Sequence, residues 1–402
     1  MPHILRLCAF AFSAIALVFP AQAFETQARG AFVIDLATNT VLLDKNADEP
    51  QPPASMSKLM TLYVTFEAIR DGRLTLDEKL PVSAHAMSFG GSTMFLDTTD
   101  RVSVEDLLRG IIVLSGNDAC VVLAEALSPD GTEAGFARFM TQRAQKLGMT
   151  NSVFQNASGW PATGHVMSAR DLALLARRII EDFPEFYPMF AETEFEFDGR
   201  APQNTQNRNP LLRLNIGADG LKTGHTQRAG YGLVGSAKQG DRRVIFVVNG
   251  LESARQRAVE SEAILSWAFR QFVEKPVVSK GVAVAEADVW MGRDDSVALE
   301  AMEDVTTLLP ILSSDTVPAE VIYRGPIHAP VAKGDELAKL IITPEGLPEL
   351  EIPLYAANDV PAGGFMIRLR TVSQLLLARL QAGPESGSDA EPEARLETAS
   401  EG

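Results

Sequence analysis

Three short motifs occur in a fixed order along this chain and constrain its fold more than any other feature: Ser55-Met56-Ser57-Lys58, Ser115-Gly116-Asn117 and Lys222-Thr223-Gly224. A serine with a lysine one helical turn away can supply a nucleophile and its base, and a second serine and a second lysine can complete a site for acyl transfer. Each motif alone is a common helix start or turn. All three together predict a fold that brings three remote segments into one pocket.

The bulk properties indicate a globular chain with room for two domains. It has 402 residues, of which 46% are hydrophobic and 22% are charged, as is ordinary for globular proteins. The formal net charge of −16 argues against nucleic acid as a partner, because a polyanion would be repelled. If Cys8 is removed with an N-terminal leader, Cys120 is left alone. We therefore expect no intrachain disulfide, and a buried, small apolar side chain at Cys120.

The first residues are typical of a secretory signal peptide over 1–23. Arg6 precedes the apolar run from Leu7 to Phe19, and Ala21-Gln22-Ala23 fits a cleavage site made of small residues. A membrane anchor that stays uncleaved is the alternative, although the run is short for a span. We expect a periplasmic protein that begins, when mature, at Phe24.

Residues 24–276 are predicted to form a catalytic domain of the α+β class, a helix-flanked antiparallel sheet. Two hairpins are expected, Ala31–Asp35 with Val41–Asp44, and Tyr231–Ala237 with Val244–Asn249 after the strand that carries the third motif. Strands at both ends of this unit, with helices between them, predict that the first and last strands share one sheet. Helices are predicted over 54–70, 104–110, 117–127, 136–147 and 254–273. A further helix is predicted to begin after the capping residue Ser168, because Asp171 follows it by three residues.

From about residue 277 the pattern changes to short alternating runs separated by Gly and Pro turns, which predicts a small all-β domain over 277–364. An apolar stripe at helical spacing then predicts a short amphipathic helix over 365–382. This helix either associates weakly with the surface of the inner membrane or docks on the β domain, and both interpretations stay open. Residues 383–402 hold six acids and one arginine and are predicted to be a disordered acidic tail, which would oppose binding to anionic lipid.

The motifs suggest a distinct role for each of their polar side chains. Ser55 is the candidate nucleophile and Lys58 the candidate general base. A lysine acts as a base only when its pKa falls well below its usual value of about 10.4, which burial or a second cation such as Lys222 achieves. Ser115 is the natural relay that passes a proton to the leaving amine. Asn117 can orient Lys58 and hydrogen-bond the substrate amide.

The strand that carries the third motif can align a peptide by edge pairing. Its backbone N–H at His225, together with that of Ser55, would form an oxyanion hole. Gly224 would let the substrate backbone come close, while Thr223 and Lys222 suit a substrate carboxylate. No cluster of His, Cys and Asp has the spacing of a metal site, and we expect neither a metal nor an organic cofactor.

The chain resembles the low-molecular-mass penicillin-binding proteins that are D-alanyl-D-alanine carboxypeptidases, serine peptidase family S11. Besides the three motifs, the resemblance includes Phe154–Gly159, Ser168–Asp171, Arg208–Leu212 and Arg257, and it covers about residues 24–364. It implies the transpeptidase fold of penicillin-binding proteins and β-lactamases, followed by a small β domain. It also implies removal of the terminal D-alanine from peptidoglycan stem pentapeptides through a serine acyl-enzyme. This reaction would be part of cell-wall biogenesis and would contribute to cell shape.

The resemblance implies roles for further residues and a class of inhibitor. Arg257 resembles the arginine that helps to hold the terminal carboxylate through Thr223, and Arg208 resembles one near the mouth of the site. His225 resembles the strand residue whose N–H completes the oxyanion hole. β-Lactam antibiotics acylate the same serine in this family. The His225 side chain beside a nucleophile suggests a base, but Lys58 already supplies that role. His165 suggests a triad with the nucleophile, but an ordinary loop histidine is the simpler interpretation.

Three alternatives to a carboxypeptidase remain at this stage. A β-lactamase uses similar motifs but needs efficient deacylation, usually by a glutamate on a loop between the second and third motifs, and here Gln155–Gly159 contains no acid. A non-catalytic wall-binding protein would not need the intact serines and lysines. A transpeptidase differs only in whether an amine or water attacks the acyl-enzyme, which the sequence does not decide.

Overall fold

The structure of the protein is a computed structural model that describes residues 24–311, 317–365, Ser373 and 393–398. The predicted signal peptide over 1–23 lies outside the described residues, as does nearly all of the predicted helix over 365–382. Within the part of the chain that the structure describes, no helix has the length and hydropathy needed to cross a bilayer.

The first domain is built on a five-stranded antiparallel sheet. Its strands are β1 (Gly30–Asp35), β2 (Val41–Lys45), β5 (Ala218–Thr226), β6 (Gly230–Gln239) and β7 (Arg242–Leu251), and a separate small ladder joins β3 (Lys79–Pro81) to β4 (Arg101–Ser103). The order across the sheet is β2-β1-β7-β6-β5, with Phe32 of β1 opposite Val247 of β7. Both predicted hairpins and the shared sheet of the first and last strands are therefore confirmed. The third motif lies on β5, an edge strand.

Helices cover both faces of this sheet. They are α1 (Lys58–Arg70), α2 (Ala84–Met87), α3 (Val104–Arg109), α4 (Asn117–Leu127), α5 (Glu133–Lys146), α6 (Ala169–Asp182) and α7 (Ala254–Arg270). Side chains alternate along β7, so that Ile245 and Val247 pack in the core on the α6 side while Phe246 and Val248 pack in the core on the α7 side. The cap of α6 is as predicted, because Ser168 Oγ accepts the N–H of Asp171 at 3.1 Å.

Helix α1 is buried along most of its length and carries Lys58 into the interior. Ten of its 13 residues are buried, among them Lys58, and it packs against α4, α5 and α6. A helix that is apolar on nearly every side is stable only inside a core. The first residue of such a helix is shielded from water, which matters for the charge on Lys58.

The ends of several predicted helices are wrong, and two of the differences fall on the motifs. The helix predicted over 54–70 has the predicted bounds, but its first turn, Ala54–Ser57, is a tight 3-10 turn that starts from a φ of +48° at Ala54. The predicted helix over 104–110 ends at Arg109 and passes into a π-helical turn, Gly110–Leu114. Such turns are frequent at functional sites.

Two further helix ends have simple local causes. Helix α5 begins at Glu133 rather than at residue 136, because Thr132 Oγ1 accepts the N–H of Gly135 at 3.0 Å and caps the helix earlier. Helix α7 ends at Arg270 rather than at residue 273, because Phe272–Val278 forms a strand instead.

The second domain is all β, as predicted. Its strands are β8 (Phe272–Val278), β9 (Ala283–Trp290), β10 (Ser296–Glu300), β11 (Val305–Pro310), β12 (Ala319–Arg324), β13 (Ile327–His328), β14 (Glu336–Ile342), β15 (Leu350–Ala356) and β16 (Glu393–Thr398). Seven of them form one sheet in the order β13-β9-β10-β15-β14-β12-β16, while β8 and β11 pair separately. The domain has its own core around Leu299, Val321 and Leu354. The predicted boundary at 276–277 falls inside β8.

The predicted disorder of the acidic tail does not hold for Glu393–Thr398. These residues form β16, which pairs antiparallel with β12 so that Leu396 lies opposite Val321. In the sequence, Ala394 and Leu396 alternate with charged residues, and this period of two is typical of a strand at the edge of a sheet. The acidic composition of the tail concealed this short alternating run.

Candidate active site

The first motif holds a buried lysine amine against a serine hydroxyl. Ser55 is the second residue of the 3-10 turn and Lys58 opens α1, and this tight turn stacks residues three apart. Lys58 Nζ lies 2.9 Å from Ser55 Oγ, 2.7 Å from Asn117 Oδ1 and 2.5 Å from the carbonyl oxygen of Ser158. The Lys58 side chain has 0% exposure. The first two motifs are therefore joined through one amine.

The partners of Lys58 determine where its lone pair points when the amine is neutral. A neutral amine has two N–H donors and one lone pair. Asn117 Oδ1 and the Ser158 carbonyl oxygen can only accept hydrogen bonds, so they take both N–H groups. The lone pair is then left for the hydroxyl proton of Ser55. This arrangement is what proton transfer from serine to lysine requires.

The environment of Lys58 increases the neutral fraction of its amine. The pKa is lowered from 10.5 to about 8, mainly by burial and also by the nearby charge of Arg208, whereas Cys120 and Asp118 act in the opposite direction. Desolvation is the largest cause, because the low-dielectric interior disfavours an ammonium ion. The expectation that burial prepares Lys58 to act as a base is supported by this environment.

The third motif contributes a second buried lysine. Lys222 Nζ donates to Ser115 Oγ at 3.0 Å, and Lys222 is 2% exposed. Burial brings its pKa well below the ordinary value, and the positive charges of Lys58, Arg208 and Arg257 lower it further. Two buried lysines at one site disfavour each other's charge, so the pKa values measured for them belong to the pair and not to either lysine alone.

Local backbone geometry aims the second motif into the site. The π-helical turn Gly110–Leu114 ends at Ser115, which has a φ of +63°, and α4 begins at Asn117. A left-handed conformation is uncommon for serine and persists where the surrounding structure requires it. Asn117 Nδ2 donates to the Gly90 carbonyl at 2.8 Å, which fixes the amide so that Oδ1 faces Lys58.

Strand β5 lies directly against the turn that carries Ser55. A Cβ atom on Gly224 would lie 2.8 Å from the carbonyl oxygen of Pro53 and 3.0 Å from Met56 Cγ. Only glycine lets the strand approach this closely. Among the strands that the structure describes, β5 lies at the edge of the sheet and pairs with β6 on one side only. An extended peptide could therefore pair with its other side.

The predicted catalytic and binding residues meet around one cavity of about 250 Å³. The residues that line it are Ser55, Ser92, Ser115, Arg208, Thr223, Gly224, His225, Tyr231 and Arg257. Lys58, Asn117 and Lys222 stand behind this lining, joined to it by the hydrogen bonds to Ser55 and Ser115. Every residue predicted for the site is therefore in or directly behind the cavity.

Two arginines give the cavity a strongly positive end. Arg257 Nη2 donates to the Arg208 carbonyl at 3.4 Å, and Arg208 contacts Ser92 Oγ and, at 3.3 Å, Asn204 Oδ1. Burial lowers the pKa of both guanidinium groups. Within the described parts of the chain, neither has a carboxylate partner. A substrate carboxylate would supply the missing counter-charge.

Sequence reasoning missed three residues of the site: Ser92, Tyr231 and Ser158. The ring of Tyr231 stacks on His225 with 3.8 Å between centroids, and the Arg257 guanidinium lies 5.8 Å from the Tyr231 ring. Tyr231 pairs with His225 across β5 and β6, a signal that needs the strand register. Ser158 acts through a carbonyl oxygen, which no side-chain motif encodes.

Two other expectations concerned single residues outside the motifs. His165 is buried, and its Nδ1 accepts the N–H of Gln155 at 3.3 Å, while burial lowers its pKa to about 4. This environment is that of a loop histidine rather than of a base for Ser55. Cys120 is fully buried, and burial raises the pKa of its thiol to about 12. It is a small core residue, as predicted.

The loop between the second and third motifs is organised by Asn156. Its Oδ1 accepts the N–H groups of Ser158, Gly159 and Trp160 at 3.2, 2.8 and 3.1 Å. This turn presents the Ser158 carbonyl to Lys58. A carboxylate outside this turn also contacts it, because Glu133 Oε1 accepts the N–H of Ala157 at 3.0 Å. Within the described residues, no group of three or more His, Cys, Asp or Glu side chains is placed to hold a metal ion.

Two family models match this chain. The first, D-alanyl-D-alanine carboxypeptidase, matches residues 18–253, and the second, penicillin-binding protein 5, C-terminal domain, matches residues 272–362. Together they account for both domains seen in the structure.

Individual proteins agree with these matches. D-alanyl-D-alanine carboxypeptidase DacC of Escherichia coli (strain K12) is 37% identical over 90% of this chain and 91% of its own length. Penicillin-binding protein 5 from Haemophilus influenzae has a solved structure with a TM-score of 0.70, 34% identity, and coverage of 85% of this chain and 99% of that one. Penicillin-binding protein D2 from Listeria monocytogenes, solved with ampicillin bound, has a TM-score of 0.55 and 33% identity over 61% of this chain and 98% of that one.

Proposed function

Because the chain belongs to the D-alanyl-D-alanine carboxypeptidase family and carries the C-terminal domain of penicillin-binding protein 5, we propose that Ser55 is its nucleophile and Lys58 its general base. The protein is a serine-type D-alanyl-D-alanine carboxypeptidase, a hydrolase and penicillin-binding protein that removes the terminal D-alanine of peptidoglycan stem peptides through an acyl-enzyme. The observation that carries the residue assignment is the buried Lys58 amine 2.9 Å from the Ser55 hydroxyl oxygen, with Asn117 Oδ1 and the Ser158 carbonyl oxygen as its other partners.

Acylation begins with transfer of the Ser55 proton to the neutral amine of Lys58. Ser55 Oγ attacks the carbonyl carbon of the penultimate D-alanine, and the negative charge that develops on the carbonyl oxygen is stabilised by the N–H groups of Ser55 and His225. Such donors each contribute roughly 3 kcal/mol to transition-state stabilisation. Asn117 and the Ser158 carbonyl hold the amine in place throughout.

Collapse of the tetrahedral intermediate breaks the C–N bond and releases D-alanine. The leaving amine needs a proton, which Ser115 delivers by relay from the lysine pair, since its hydroxyl lies 3.0 Å from Lys222 Nζ. Water then attacks the ester carbonyl and gives a proton to the neutral amine of Lys58. When the C–O bond to Ser55 breaks, Lys58 returns that proton to the Ser55 oxygen, since the two atoms lie 2.9 Å apart. The shortened peptide leaves with a free carboxyl group, and the site returns to its starting state. No metal or organic cofactor takes part in this scheme.

Substrate binding places the terminal carboxylate at the positive end of the cavity. Thr223 and Lys222 on β5 offer a hydroxyl and an amine, and Arg257 and Arg208 supply uncompensated positive charge. Gly224 lets the substrate backbone lie against the edge strand. A β-lactam carries a carboxylate and an acylating carbonyl of its own, so it would bind the same groups and acylate Ser55.

The cellular location follows from the substrate and from the predicted signal peptide over 1–23. We infer a periplasmic protein, because stem peptides lie outside the cytoplasmic membrane. Weak association with that membrane through residues 365–382 stays a prediction.

The assignment is tested by replacing Ser55→Ala and Ser57→Ala in parallel. Both serines lie in the same 3-10 turn, but of their two hydroxyls only that of Ser55 forms a hydrogen bond with the Lys58 amine. We expect Ser55→Ala to lose D-alanine release from an acyl-D-Ala-D-Ala peptide and covalent labelling by a fluorescent penicillin, while Ser57→Ala keeps both. Mass spectrometry measures the adduct and circular dichroism checks the fold. Release of D-alanine by folded Ser55→Ala would refute the nucleophile, and sustained penicillin hydrolysis by the unaltered protein would favour a β-lactamase.

A further inference from the structure

Glu133 is a carboxylate that the reaction scheme does not use, and it lies between two segments that surround the Lys58 amine. It is the first residue of α5, and its side chain is only 10% exposed. Its Oε1 accepts the N–H of Ala157 at 3.0 Å, and its Oε2 lies 3.1 Å from His85 Nε2. Burying a carboxylate is costly unless hydrogen bonds compensate for the lost water. These two contacts supply that compensation and join the two segments through one side chain.

The bond to Ala157 controls the position of the Ser158 carbonyl. Ser158 follows Ala157 in the chain, and its carbonyl oxygen lies 2.5 Å from Lys58 Nζ. Two helices hold Ala157 from outside the turn, because Glu133 of α5 accepts its N–H and Thr61 Oγ1 of α1 donates to its carbonyl oxygen at 2.6 Å. The hydrogen bonds inside the turn join its own residues and move with them. Of the two outside bonds, the one to the charged carboxylate is the stronger kind.

The contact with His85 reaches the segment that orients the other acceptor of the Lys58 amine. His85 lies in α2, and further along the same segment the Gly90 carbonyl accepts Asn117 Nδ2 at 2.8 Å. That bond turns Asn117 Oδ1 toward the amine. The His85 ring also contacts Phe89 edge-on, with 5.1 Å between the ring centroids. One carboxylate therefore contacts both of the segments that direct the amine.

We propose that Glu133 is a positioning residue for acylation, because its carboxylate holds the Ser158 carbonyl where that oxygen accepts an N–H of the Lys58 amine. The inference rests on the proposed function and adds a residue to it. Glu133 acts through the Ala157 peptide group and not on the reacting atoms. Without the carboxylate, the buried N–H of Ala157 lacks its acceptor and the turn shifts to find another. The amine is then less well directed, and proton transfer from Ser55 slows.

The test measures acylation and binding separately in the full chain. Stopped-flow labelling by a chromogenic β-lactam at increasing concentration gives the acylation rate constant and the dissociation constant of the noncovalent complex. Misplacement by an ångström can slow a reaction by about 100-fold, and Thr61 still holds the Ala157 carbonyl in Glu133→Ala. We therefore expect this variant to lower the acylation rate constant by about 5- to 30-fold. The dissociation constant should stay within about twofold, because the lost interaction does not contribute to binding of the ligand.

Two further variants show which property of Glu133 matters. Glu133→Gln keeps an oxygen that accepts the Ala157 N–H but removes the group that could take a proton, so its acylation rate constant should stay within about threefold of that of the unaltered protein. Glu133→Asp keeps the charge but is one methylene shorter. It should lower the rate constant by about 3- to 10-fold, because the carboxylate no longer reaches the N–H in the same geometry.

Glu67→Ala is the matched control for a loss of stability. Glu67 lies on α1, its side chain is 14% exposed, and it pairs with Arg143 of α5 at 2.5 Å. This carboxylate is buried to a similar degree as Glu133 and also contacts α5, but its partner lies outside the two segments. Its removal should lower the unfolding midpoint in urea and leave the acylation rate constant unchanged.

An unchanged acylation rate constant in folded Glu133→Ala or Glu133→Asp would overturn the positioning role, as would a dissociation constant that rises as much as the rate constant falls. It would also be overturned by an equal loss in Glu133→Gln, which would point to charge or proton transfer, or by an equal loss in Glu67→Ala, which would point to stability alone. Circular dichroism checks that each variant is folded. A complete lack of covalent adduct in the unaltered protein would instead overturn the proposed function.

Discussion

Acylation of Ser55 is expected to depend steeply on pH, because only the neutral form of Lys58 can accept the serine proton. Burial lowers the pKa of this lysine from 10.5 to about 8. At pH 7, about one amine in ten is then neutral, against about one in 3,000 at the ordinary pKa, a gain of about 300-fold. The same lowering of the pKa means that the protein destabilises the ammonium form of Lys58, relative to the neutral amine, by roughly 3 kcal/mol.

The assay is the second-order rate constant for labelling by a chromogenic β-lactam, measured by stopped flow from pH 5.5 to 10. The active form has lost a proton, so the rate must rise with pH. We expect a nearly tenfold rise per pH unit below pH 7, a half-maximal rate near pH 8 and a plateau above it. Because Lys222 is buried close to Lys58, the apparent pKa obtained from this profile belongs to the two lysines as a pair.

Lys58→Arg is the matched control, because a guanidinium keeps the charge but does not titrate in this range. It should slow labelling by about 10²- to 10⁴-fold, as expected for loss of a positioned base, and its rate should not rise between pH 7 and 9. A flat profile for the unaltered protein from pH 6 to 9, or a rate still rising steeply at pH 10, would refute the argument that burial prepares Lys58 as the base.

Two further predictions concern the residues that support the site. Gly159→Ala should slow β-lactam labelling and lower the free energy of unfolding by about 1–3 kcal/mol. The glycine has a φ of +78°, and a Cβ at this position would lie 1.9 Å from the Ala54 carbonyl oxygen. Labelling at the normal rate would contradict this prediction. Asp118→Ala should lower the free energy of unfolding, measured in urea, by roughly 3 kcal/mol. The substitution leaves the buried N–H groups of Met94 and Leu96 without their carboxylate acceptor. An unchanged unfolding midpoint would show that these hydrogen bonds contribute little to stability.

Much of the fold was determined by local sequence patterns. Alternating apolar residues around turn residues predicted both hairpins, and Ser168 with Asp171 predicted the start of α6. These features depend on residues close together in the chain, so one sequence is enough to predict them. The three motifs likewise identified the reactive serine and lysine residues of the site, because these motifs seldom occur together in that order for another reason.

The tertiary structure alone decided how those side chains work together. Lys58 has a lowered pKa because α1 is buried against three other helices, and its lone pair faces Ser55 because Asn117 and a backbone carbonyl occupy both N–H groups. The stack of Tyr231 on His225 depends in the same way on strand register. Desolvation and hydrogen-bond direction arise from contacts between remote segments, 59 residues apart for Lys58 and Asn117 and 100 for Lys58 and Ser158. No local pattern in the chain encodes them.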